Sequence, residues 1–150
     1  MKNKSMNEIL EFAIDRERDA VSFYQKLQKM VRFDNQIKML KDLEDMEKGH
    51  ITLLQNIKRK EDVDFILKDV QDLKLSDYLI EKEPSPEMDY QDILIIAMKR
   101  EEASTNLYKG LAQAVTNNEL KKLFKRLAQE EAEHKFRFEN IYDEFVLTDN

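Results

Sequence analysis

Glu17-Arg-Asp-Ala-Val-Ser-Phe-Tyr24 and Leu43-Glu-Asp-Met-Glu47-Lys-Gly-His50 decide how this chain is read, because both stretches return further along. The first returns as Glu101-Glu-Ala-Ser-Thr-Asn-Leu-Tyr108 and the second as Leu127-Ala-Gln-Glu-Glu131-Ala-Glu-His134. One offset relates Glu17 to Glu101, Tyr24 to Tyr108, Glu47 to Glu131 and His50 to His134 (101 − 17 and 134 − 50 are both 84), with no gap. A shared offset over this span is the mark of an internal repeat. The chain has only two histidines, and each follows a glutamate by three.

Outward from these motifs the pattern is helical. Leu10, Ala13, Ile14, Ala20, Val21, Tyr24, Leu27 and Val31 recur at spacings of three and four, with Glu17 inside the stripe. Ser5-x-x-Glu8 has the form of a capping box that starts this first helix. A break follows at Arg32 to Asp34, with Asp34 as N-cap of a second helix. That helix carries Ile37, Leu40, Leu43, Ile51, Leu54 and Ile57 on the face that holds Glu47 and His50. Met39, Met46 and Leu53 form a second stripe, which the crossover or a partner subunit would cover. A third helix begins after Pro86 or at Asp89 and runs through Ile93, Leu94, Ala97, Met98, Leu111, Ala112 and Val115, with Glu101 and Tyr108 among them. Thr116-x-x-Glu119 is a second capping box and opens the fourth helix. That helix buries Leu120, Leu123, Phe124, Leu127, Phe138, Ile141 and Phe145 beside Glu131 and His134.

Residues 61 to 88 are mixed in character and contain Glu83-Pro-Ser-Pro86, the clearest breaker. They predict a long crossover with some helix in it. Two short-looped hairpins, about 5–60 and 87–147, joined by one long crossover make an all-α, ferritin-like four-helix bundle. The 150 residues suit a single domain.

Composition agrees and excludes much else. Gly and Pro number two each and charged residues make up 37%. That suits long helices and leaves too few turn residues for a sandwich or barrel. The net charge of −6 with no basic stripe argues against nucleic acid. No stretch has the apolar length of a membrane span. Met1 to Ile14 has no signal-peptide apolar block, and cysteine is absent, so disulfides and thiolate metal sites are ruled out. A soluble cytoplasmic protein is the expectation.

The repeat has a chemical reading. Residues i and i+3 share a helix face, so the Glu and His of Glu-x-x-His can reach one ion. Two such pairs, Glu47 with His50 and Glu131 with His134, plus Glu17 and Glu101 from the other two helices, make a carboxylate-bridged dinuclear set. Four glutamates buried without compensation would be very costly, and two divalent ions give +4 against −4. Each residue taken singly is an ordinary boundary Glu or core His; the set is what carries the reading. Glu44, Glu102, Glu130 and Glu133 lie beside the motifs and do not recur in both, so they read as solvated or supporting groups. Tyr24 and Tyr108 stand two turns beyond Glu17 and Glu101, either as core rings or as hydrogen-bonding support for a carboxylate. Gly49 beside His50 fits either close packing or local deformation. Iron, manganese or a mixed pair suit such N/O donors, and zinc could occupy them in a crystal.

Glu-x-x-Ala-x-x-Phe-Tyr at Glu17–Tyr24, Glu47-x-x-His50 and their second copies resemble the rubrerythrin family over nearly the whole chain. The resemblance implies a non-haem di-iron centre that reduces hydrogen peroxide or dioxygen, a role in oxidative stress. It also implies electrons from an external donor such as a rubredoxin or flavoprotein, since the family's four-cysteine rubredoxin site has no cysteines here. A homodimer or larger homo-oligomer is expected. The family's extra Glu ligand, one turn after the third-helix Glu, falls on Ser104, matched by Ala20 in the first half. Four Glu and two His remain, a symmetric set closer to that of bacterioferritin. Alternative readings are a ferroxidase or iron-sequestering protein, a substrate oxygenase, or a bundle that holds metal without redox turnover.

Overall fold

The computed structural model describes residues 6–59, 85 and 87–149. Four helices account for nearly all of them: α1 (Met6–Met30), α2 (Asp34–Arg59), α3 (Tyr90–Ala114) and α4 (Asn118–Asp149). No β-strand is formed among the described residues. The chain divides into two compact units, Met1–Leu73 and Lys74–Asn150. Each unit contains one hairpin, α1 with α2 and α3 with α4. Three residues join the helices of each pair, which folds them back antiparallel.

In the first hairpin the apolar stripe of α1 is buried at Ile9, Leu10, Ala13, Ile14, Phe23, Tyr24 and Leu27, and that of α2 at Leu40, Leu43 and Leu54. Lys58 on α2 pairs with Glu11 on α1. Met39, Met46 and Leu53, the second stripe of α2, are half-buried. In the second hairpin Ile93, Leu94, Ala97, Leu107, Tyr108 and Leu111 of α3 are buried, as are Leu120, Phe124, Leu127 and Phe138 of α4. Gln91 Nε2 on α3 donates to Tyr142 Oη on α4 at 3.0 Å.

The helix ends differ from expectation in two places. Asp34 is the first residue of α2, not its N-cap; Ile37 N–H donates to the Phe33 carbonyl at 3.0 Å, so Phe33 holds the cap position. A carboxylate in the first turn still suits the helix dipole, which is why the residue type misled by one position. At α4 the cap is Asn117, whose Oδ1 accepts from the Leu120 N–H at 3.0 Å, so the start is one residue later than Thr116 predicts. Asn is at least as good a cap as Thr, and its side chain reaches the third helical N–H. Asp89, in extended conformation, precedes α3 as expected. Ser5 and most of the crossover lie outside the described residues.

Candidate metal centre

The six repeat residues come from the middles of the four helices and are all buried: Glu17, Glu47, Glu101, Glu131, His50 and His134. Helical spacing does this. Each Glu-x-x-His pair turns both side chains to the buried face of its helix, and the facing helix contributes a glutamate there.

In the first hairpin His50 Nδ1 lies 3.4 Å from Glu17 Oε1 and 3.7 Å from Glu47 Oε1. In the second hairpin His134 Nδ1 lies 3.6 Å from Glu101 Oε2 and 3.8 Å from Glu131 Oε1. Each triad brings one ligand atom per residue to within 4.8 Å of the others. Around an ion with bonds of about 2.0–2.2 Å, neighbouring donors sit roughly 3–3.5 Å apart. A small inward movement of these side chains reaches that spacing. The donor set, two carboxylates and an imidazole in a buried setting, fits iron, manganese or zinc.

The flanking groups are buried with these residues, and one pair of them crosses between helices. Tyr24 and Tyr108 are both buried. Tyr24 meets Phe23 edge to face at 5.7 Å, and Tyr108 stacks on Phe124 at 6.3 Å. Thr105, buried one turn beyond Glu101, donates from Oγ1 to the Glu101 carbonyl at 2.8 Å, where the first half has Val21. Ser104 and Ala20 are half-buried. Gly49 has open space where a Cβ would project, which removes close packing as its reason.

Of the two sequence readings of Glu44, solvated or supporting, burial removes the first: it is 3% exposed. Its carboxylate accepts from Gln28 Nε2 at 2.8 Å and Gln25 Nε2 at 3.1 Å, both on α1. Lys48 Nζ lies 2.7 Å away and Lys41 Nζ 3.6 Å. Chiefly the Lys48 hydrogen bond, aided by the two amides and Lys41 and opposed by burial, pulls its pKa down to about 2. The available signal was Gln25 and Gln28, three apart on α1, with Lys41 and Lys48 flanking Glu44 on α2. Glu102 and Glu133 are exposed, as expected of solvated groups, and Glu130 is half-buried.

No helix among the described residues is long and apolar enough to cross a membrane. No curated protein matches the chain. A solved structure, the hypothetical protein Pfu-1136390-001 from Pyrococcus furiosus, is similar to it. The TM-score is 0.70 and the identity 25%, covering 93% of this chain and 89% of that one. The four helices therefore have the fold class of a ferritin-like helical bundle. Residues 92–150 match the family model described as Rubrerythrin, a span that contains Glu101, Glu131 and His134. The second hairpin is thus similar to rubrerythrin, and buried carboxylate–imidazole clusters that could hold a metal lie in both hairpins.

Proposed function

We propose that the two triads join as one dinuclear iron centre, and that the protein is a di-iron oxidoreductase that reduces hydrogen peroxide or dioxygen. The observation that carries this is the duplication itself: in each hairpin one histidine Nδ1 lies within 3.8 Å of two buried carboxylates. Glu17, Glu47 and His50 would hold one iron, and Glu101, Glu131 and His134 the other. Two ferrous ions supply one electron each, which matches the two electrons and two protons that turn peroxide into two waters. The carboxylates supply the negative charge that holds both oxidation states, and the imidazoles fix the donor geometry. The buried apolar residues around Glu and His keep bulk water away from the centre. Electrons return from a separate protein, such as a rubredoxin or flavoprotein, in the cytoplasm.

Anaerobic loading should give two iron per chain, and ferrous protein mixed with peroxide should oxidise much faster than free ferrous ion. Oxidation no faster than that of free iron would sink the peroxidase reading. Absence of steady turnover with a reducing partner, beside intact iron binding, would favour iron handling instead.

A further inference from the structure

The same offset of 84 exposes a difference between the hairpins. The groups that surround the Glu44 carboxylate in the first hairpin are Gln25, Gln28, Lys41 and Lys48. Their counterparts in the second are Lys109, Ala112, Lys125 and Ala132, and the counterpart of Glu44 is Ala128. Three side chains that fill the groove between helices in one hairpin are cut back to methyl groups in the other. A groove of about 300 Å³ is left there, lined by Lys109, Ala112, Lys125, Ala128, Gln129 and Ala132. Its floor is apolar, and two ammonium groups flank it.

One turn beyond Ala132 on the same face stands Phe136, 61% exposed, one of the few large apolar side chains left open among the described residues. Lys125, Ala132, Phe136 and Asp143 are spaced by seven, four and seven, and so form one stripe along α4. Along the strip that carries Ala132 and Phe136 the charge changes sign: Lys121, Lys122 and Lys125 lie before them and Glu139 and Asp143 beyond, while Glu130, Glu133, Lys135 and Arg137 lie to either side of the strip. A face that is basic, then apolar, then acidic is complementary to itself when reversed.

We propose that this groove is the seat of a second copy of the chain, with α4 packed antiparallel on its partner's α4. In the register that best matches the stripe, each Phe136 lies over the partner's Ala132 and enters the alanine-floored groove. Each Asp143 then meets the partner's Lys125, with Lys109 beside it. The carboxylate that Glu44 provides internally in the first hairpin is thus supplied to the second from outside. From Lys125 to Asp143 the contact runs about 27 Å along the helix.

The test is sedimentation equilibrium of the full chain at micromolar concentration, metal-loaded and metal-free. The wild type should run at twice its 17.9 kDa mass. Phe136→Glu should weaken self-association by about a hundredfold or more, with helical content and iron per chain unchanged. Lys125→Asp and Asp143→Lys should each weaken it about tenfold, and the double reversal should recover it to near the wild-type value. Phe33→Ser, which removes an exposed aromatic of the other hairpin, should change nothing. A monomeric wild type, association indifferent to Phe136→Glu, or a double reversal that fails to recover would each overturn the proposal. Because iron content is read separately, failure here is distinct from failure of the di-iron reading.

Discussion

Lys48 Nζ lies 2.7 Å from Glu44 Oε2, so a half-exposed ammonium closes over a carboxylate that is almost wholly buried. The folded pKa of Glu44, about 2, lies below its ordinary 4.5. A depressed carboxylate contributes stability that is present above the ordinary value and is lost as the pH falls towards the folded one. Between pH 7 and pH 3 the wild type should therefore lose about 1–3 kcal/mol more than Glu44→Gln, a figure reduced for the solvent around both lysines. Urea unfolding of both metal-free proteins across this range measures it. Parallel losses would show that Glu44 is not an acid-sensitive tie between α1 and α2.

Removing metal should expose the cost of the buried carboxylates. Chelation should lower the thermal midpoint, since a ligand present at a thousandfold its Kd adds about 4 kcal/mol. Glu131→Leu should remove metal from its triad yet make the metal-free chain more stable by about 1–3 kcal/mol. Calorimetry of both proteins with and without iron separates the two effects. A metal-free Glu131→Leu protein weaker than metal-free wild type would contradict the burial argument.

Each histidine should answer for one ion. His50→Ala and His134→Ala should each lower bound iron by about one per chain, and the pair together should abolish it. Metal analysis after dialysis reads this directly, and full occupancy in the double variant would remove both residues from the site.

Gly49→Ala should stabilise the protein by about 0.5–1 kcal/mol. The position is helical, the added methyl meets open space, and alanine restricts the unfolded chain. Chemical denaturation gives the sign. Destabilisation would mean that α2 needs glycine's freedom beside His50.

Asn117→Ala should cost about 1 kcal/mol, more than Thr116→Ala, because Asn117 is the side chain that caps the Leu120 N–H. Equal losses would return the cap to Thr116.

The helices and the shared buried faces of the six repeat residues were legible in sequence, because spacing of three and four over 25 or more residues is a strong local signal. Cap positions were off by one, since Asp34 beside Phe33 and Thr116 beside Asn117 compete on residue type, and only backbone direction decides between them. The choice for Glu44 between a solvated and a supporting group stayed open for a different reason. Flanked by Lys41 and Lys48 it has the pattern of a solvated helix face, and the groups that take it inside, Gln25 and Gln28, belong to another helix. Its replacement by Ala128 in the second half reads as a neutral surface change until the groove that it opens is in view.

That unequal filling of two equivalent grooves bears on how large an assembly this chain can build. With both grooves open, each copy would offer two seats, and association could propagate from copy to copy without end. Glu44 with its lysines and amides occupies one of them from within; on the antiparallel pairing proposed above, that leaves a single self-complementary face, and growth would close at two.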